Sequence, residues 1–198
     1  VIAIVDYGAG NLRSVSNTLD EIGADYKIFS APNGLESAPK IILPGVGHFG
    51  QMMRALDQRG FREPLLERIR AGIPFLGICL GLQALFESSE EAPSERGLGI
   101  FPGSIRRFTE ARVPQMGWNN LERARDSRLL DGLSNRPYVY FANSYYASEV
   151  PEASAVATYG VRFTAILEHQ NLSGVQFHPE KSGPVGLRIV RNFIENAG

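Results

Sequence analysis

Three short apolar runs, Val1–Val5, Ile41–Leu43 and Pro74–Ile78, each stop at or near a glycine-bearing turn, with segments of helical spacing between them. Short, continuously apolar runs suit parallel strands covered on both faces. Leu12, Val15, Leu19 and Ile22 repeat at helical intervals, and further helices are predicted around Gly50–Leu56 and Pro64–Arg70. A strand is expected at Asp25–Phe29, and a helix at Leu80–Phe86 directly after the third run. This β-α-β-α order predicts an α/β fold: a flavodoxin-like open, mostly parallel sheet with helices on both faces.

The second half reads differently. Short strands are expected at Ser104–Phe108, Gly117–Leu121, Tyr138–Phe141, Ala155–Tyr159, Thr164–Glu168 and Gly174–His178. Turn residues separate them, which predicts an antiparallel extension of the sheet. A closing helix runs from about Pro184 to Glu195, with Ser182 as its expected cap, and Ser88–Arg96 reads as a surface loop. No composition shift divides the 198 residues, so a single domain over 1–198 is expected.

Composition removes several functions. A formal net charge of -1 argues against a nucleic-acid or membrane surface built on bulk charge. One cysteine excludes an internal disulfide and a zinc site of several thiolates, and His48, His169 and His178 form no local metal motif. No metal or cofactor is expected. No apolar run reaches membrane-spanning length, and Val1–Val5 lacks a basic leader, so a reducing cytoplasmic setting is expected.

Chemistry concentrates where ligands gather in open α/β sheets, at the carboxyl ends of the strands. Gly77-Ile78-Cys79-Leu80-Gly81 has the small-x-nucleophile-x-small spacing of a strand-to-helix elbow. Glycines flank the cysteine because a Cβ at either place would crowd the turn. A helix starting at Leu80 would aim N–H groups at the sulfur and favour thiolate. Taken alone, Cys79 is as easily a small buried hydrophobe.

A base changes that balance. In Phe177-His178-Pro179-Glu180, an extended backbone would put His178 and Glu180 on one face. The carboxylate could then fix the imidazole tautomer and stabilise the imidazolium. Gly45-Val46-Gly47, after a buried strand, can present backbone N–H groups as an oxyanion hole, with the Leu80 N–H as a further donor. A phosphate cradle is disfavoured, because no Lys-Ser/Thr pair follows these glycines.

Gly77-Ile78-Cys79-Leu80-Gly81-Leu82-Gln83 and Phe177-His178-Pro179-Glu180 together resemble the class I, triad-type glutamine amidotransferases, and the similarity covers essentially the whole chain. Four further segments, Asp6–Leu12, Leu43–Gly50, Val113–Asn119 and His178–Gly183, are similar to the members that serve a cyclase in histidine biosynthesis. The resemblance implies a Cys79, His178, Glu180 triad acting on glutamine. It implies contacts to that substrate from Gln83, Ser144 and Tyr145. It also implies a heterodimer with a (β/α)8 cyclase subunit that consumes the ammonia, docked over Asn11, Met116, Trp118, Asn119 and Lys181. Gln115 and Asn143 stand where many family members carry histidine, which leaves no protonatable group there. Rival readings are an ammonia-supplying subunit of another synthase, a thiol peptidase, and a non-catalytic flavodoxin-like module.

Overall fold

A computed structural model describes residues 1–196. The parallel half of the main sheet comprises β1 (Ile2–Val5), β2 (Tyr26–Phe29), β3 (Ile41–Gly45), β4 (Phe75–Cys79) and, from far along the chain, β13 (Leu172–Val175). Helices α1 (Leu12–Ile22), α2 (Phe49–Gln58) and α3 (Arg62–Arg70) make the connections, and α4 (Leu80–Gln83) follows β4 directly. Next come β5 (Phe86–Ser89), β6 (Phe101–Arg107), β7 (Gln115–Asn120), β8 (Glu122–Arg123), β9 (Tyr138–Asn143), β10 (Tyr145–Tyr146), β11 (Ala153–Tyr159) and β12 (Val161–His169). Helix α5 (Gly183–Asn196) ends the described chain.

The eight-stranded sheet has the order β2-β1-β3-β4-β13-β12-β11-β8. Pairing is parallel from β2 to β13 and antiparallel from β13 to β8; β13, a second-half strand expected in the antiparallel extension, is parallel to β4 on one side and antiparallel to β12 on the other. Strand alternation sorts its side chains into two cores. Ala3, Val5, Ile41, Leu43 and Phe75 pack with Met52, Met53, Leu56 and Leu65 of α2 and α3. Ile2, Ile4, Ile42, Leu76 and Ile78 pack with Val15 and Leu19 of α1 and Ile189, Val190 and Phe193 of α5. Each large side chain so buried contributes about 1.5–3 kcal/mol relative to exposure, which fixes the register of the central strands.

Two helix ends follow directly from residue type. Gly23, with φ 78°, closes α1 in the left-handed region, and Gly23 and Ala24 donate to the carbonyls of Asp20 and Leu19. The His48 Nδ1 accepts from the Gly50 N–H and so caps α2, which gives His48 a structural task.

Several boundaries differ from expectation. β7 and β9 leave the main sheet and form their own two-stranded ribbon, while β6 joins β10 and β5 in a three-stranded sheet. The reason lies in burial: Met116, Trp118 and Tyr138 are exposed on the ribbon, so one of its faces was never destined for the core. The expected helix over Leu80–Phe86 is a single turn, after which Phe86 begins a strand. Ser88–Arg96 is no plain surface loop, because Ser89 and Ala92 are buried. Ser182 does not cap α5 with its side chain. Its hydroxyl donates to the His178 carbonyl and accepts from the Tyr140 N–H instead.

Candidate active site

The chain reverses sharply at the end of β4, where Cys79 adopts φ 54° and ψ -107°. A non-glycine residue there is strained by about 1–3 kcal/mol, and such strain persists only where the surroundings enforce it. Those surroundings are glycines. A Cβ on Gly77 would lie 2.5 Å from the Gly81 carbonyl oxygen, and one on Gly81 would lie 2.0 Å from the Leu43 oxygen. The elbow therefore needs both, as the spacing predicts. Leu80 opens α4, so its N–H has no helical carbonyl before it. With one helical turn behind that donor, the macrodipole expected at the sulfur shrinks to the N–H groups of the turn itself.

His178 and Glu180 come together by a different route from the extended strand expected. β13 ends at Val175, and Pro179–Lys181 form a 3-10 turn that folds the carboxylate back onto the imidazole. The His178 Nδ1 and Glu180 Oε1 lie 2.8 Å apart, with both side chains almost fully buried. Gly186 makes this turn possible, since a Cβ there would lie 1.9 Å from the Pro179 oxygen. The Asn11 amide donates to the same Glu180 oxygen at 3.1 Å, so this residue, expected at an interface, also steadies the carboxylate.

The imidazole is the electrostatic centre of the site. Burial pulls its pKa down, but hydrogen bonds and charge from Cys79 and Glu180 outweigh burial and push it up to about 10. A protonated imidazole so placed can give its proton to a leaving group. The folded chain thus holds this proton more tightly than the unfolded chain, whose histidine titrates near 6.5. The resulting stability is complete below about pH 6.5 and lost as pH rises through about 10. Urea denaturation of the wild type and His178→Asn should show a stability gap that narrows from pH 6.5 to 10. A gap of constant size would show that His178 holds no extra proton.

A cavity of about 290 Å³ opens in front of the elbow. Cys79, Leu80 and His178 line one part of it, Val46 and Gly47 another, and Gln83, Ser144 and Tyr145 a third. The structure therefore gathers the sequence-selected nucleophile, base, glycine strand and substrate segment around one space. The Gln83 amide nitrogen donates to the Tyr145 carbonyl and to Gln176 Oε1, which ties β10 to the elbow.

Sequence reasoning missed three neighbours. Gln176 is fully buried, and its amide nitrogen lies 3.6 Å from the Cys79 sulfur. A polar residue between Val175 and Phe177 was the available signal. Glu91 lines the cavity, and its carboxylate also accepts from the Phe49 N–H at 2.8 Å. The buried Tyr7 phenol accepts from the Val46 N–H at 3.3 Å.

The expected docking residues divide. Met116 and Trp118 are exposed on one face of the β7–β9 ribbon, beside Tyr138. Asn119 lies one register position away on the opposite face, and its amide donates to the Thr158 carbonyl. Its side chain therefore holds the ribbon to β11. Lys181 is exposed and reaches the cavity, while the adjacent Glu180 carboxylate is turned inward to His178.

Gln115 and Asn143 face each other across the ribbon and are buried, with Gln115 Oε1 and Asn143 Oδ1 unpartnered. Among the described residues, no helix is long and apolar enough to cross a membrane.

A family model described as glutamine amidotransferase class-I matches residues 3–197. The imidazole glycerol phosphate synthase subunit HisH of Methanothermobacter thermautotrophicus is 49% identical over 197 residues, 98% of this chain and 98% of that protein. The subunit of the same name from Thermus thermophilus is 49% identical over 196 residues, 97% of each chain. That of Desulfitobacterium hafniense is 47% identical over 196 residues, 98% of this chain and 93% of that protein. A solved glutamine amidotransferase superposes across 100% of both chains with a TM-score of 0.79 at 21% identity. The structure of PurLQS from Thermotoga maritima has a TM-score of 0.78 at 15% identity, over 100% of this chain and 98% of that one. At those identities the structural likeness establishes the fold.

Proposed function

The chain belongs to the class-I glutamine amidotransferase family, and we propose that it is the glutaminase subunit of an imidazole glycerol phosphate synthase. The observation that carries this reading is the Cys79, His178, Glu180 arrangement at a cavity sized for one amino acid. An extended peptide would need a longer cleft. The relatives' names and their near-complete coverage supply the synthase.

Glutamine lies with its carboxamide at Cys79. Glu91 gives its ammonium group a carboxylate, while Gln83 and the Ser144–Tyr145 segment hold the rest of its amino-acid end. The Cys79 thiolate attacks the carboxamide carbon, and the oxyanion is met by the Leu80 N–H and the Gly45–Gly47 strand. Collapse of this intermediate breaks the carbon–nitrogen bond, with His178 giving its proton to the departing ammonia. Water then yields a proton to His178, attacks the thioester and releases glutamate. Glu180 orients the ring in both halves.

Ammonia freed into bulk water at neutral pH would be protonated and lost as a nucleophile. The reading therefore includes a (β/α)8 cyclase partner in the cytoplasm, which uses the ammonia to make imidazole glycerol phosphate and an aminoimidazole carboxamide ribotide. Met116, Trp118 and Tyr138 form the exposed apolar and aromatic centre of the docking face. In this reading Lys181 and Asn11 also meet the partner.

Glutaminase turnover should rise when the barrel cyclase is added to this chain. Trp118→Ala should weaken that titration by about thirtyfold, as a central interface tryptophan does. Activation by a different synthase, with none from the cyclase, would move the assignment to that other partner.

A further inference from the structure

Register places Gly45 of β3 directly opposite Cys79 of β4, so the Val46 N–H is the first donor beyond the elbow on the neighbouring strand. Gly45 is closely packed: a Cβ on it would lie 2.7 Å from both the Gly81 nitrogen and the Leu80 Cβ. Gly47 is its opposite, at φ +94° and with nothing within 4 Å of the place a Cβ would take. The Val46 side chain is itself exposed. The peptide between a closely packed residue and one with open space beside it is where this strand has room to turn.

That donor is already occupied. The Tyr7 side chain is 3% exposed, and its phenol oxygen accepts from the Val46 N–H at 3.3 Å. Burial is the largest influence on the phenol and raises its pKa to about 12, with the Val46 bond opposing and the charges of Cys79 and Asp6 adding to the rise. Tyr7 is therefore a neutral acceptor at any working pH, and its hold is the modest one of a neutral hydrogen bond. An N–H engaged by a phenol is not free to meet an oxyanion.

We propose that Tyr7 is a positioning residue for the Val46 N–H: its phenol holds this donor in the resting chain and releases it for turnover. The inference rests on the glutaminase reading. The loop that carries Tyr7 runs on to Asn11, whose amide holds Glu180. One short segment thus touches both the donor strand and the carboxylate behind the base. A partner seated against Asn11 bears on Tyr7 through three intervening residues, and this gives docking a route to the oxyanion strand.

Tyr7→Phe keeps the ring and removes the acceptor. In the isolated chain, kcat for glutamine should rise about three- to tenfold, the ratio one neutral hydrogen bond sustains. KM should stay within about twofold, because ground-state binding is untouched. The factor by which the barrel cyclase activates should shrink by the same ratio. A kcat at or below the wild type's overturns the proposal, and that is the result if Tyr7 merely props the site. Amide hydrogen exchange at Val46 reads the bond without any turnover. It should be at least about tenfold slower in the wild type than in Tyr7→Phe, and equal rates overturn the proposal. A Cys79→Ala control in the same assay separates the two ideas: if it matches the wild type, the glutaminase reading has failed whatever Tyr7 does.

Discussion

Cys79→Ala is expected to lower glutaminase kcat by about 10⁴-fold or more, with the fold intact. Removing the nucleophile of a triad that works as a unit costs about this much or more, and what remains is binding and oxyanion stabilisation. The fold should survive because Cys79 is a small side chain at the edge of its core cluster. Its left-handed backbone is fixed by Gly77 and Gly81, not by its sulfur. Alanine tolerates that backbone no better and no worse than cysteine. Circular dichroism and the denaturation midpoint should therefore match the wild type while turnover disappears. A retained kcat would mean that ammonia is released by some other group in the cavity.

Gly81→Ala is expected to produce the largest loss of stability, about 3 kcal/mol or more. Its Cβ would stand 2.0 Å from the Leu43 carbonyl oxygen, a backbone atom in a central strand that cannot swing aside. Overpacking of this kind costs about 1–3 kcal/mol where neighbours can adjust, and more where they cannot. For a chain of this size, about 3 kcal/mol lowers the melting temperature by about 6–12 °C. Gly47→Ala is the informative comparison. It meets no atom within 4 Å and bears only the strain of φ +94°, so its cost should be about 1 kcal/mol. Equal losses at the two positions would mean that close packing does not shape the elbow.

Much of this was legible in the sequence because the parallel half of the sheet obeys local rules. Val1–Val5, Ile41–Leu43 and Pro74–Ile78 are apolar throughout because both faces are covered, and the cores on either side bear that out. The elbow glycines were legible for the same reason: steric crowding at a turn is a local fact. What was not legible depends on contacts distant in sequence. Asn11 meets Glu180 across 169 positions, and Tyr7 meets Val46 across 39. No periodicity records either. Glu91 was hidden because a polar, proline-bearing stretch reads as loop, although Ser89 and Ala92 are buried and Glu91 lines the cavity. The His178–Glu180 pairing was expected for the wrong geometric reason. Alternation along a strand and a 3-10 turn both bring residues two apart together, and the turn does so here. Trp118 shows the limit of composition: a tryptophan on a short strand suits a core as well as a surface, and the ribbon's departure from the main sheet exposes it.

The attack of Cys79 on glutamine is tested most directly by a chloromethyl ketone analogue, in which the carboxamide nitrogen of L-glutamine is replaced by CH₂Cl. The sulfur displaces chloride and forms a stable thioether, which intact mass and peptide mapping then locate. One adduct per chain, confined to Cys79, suppressed by excess glutamine and strongly slowed by His178→Asn, is the result predicted. Alkylation that glutamine does not protect against, or that proceeds unchanged without His178, would contradict it.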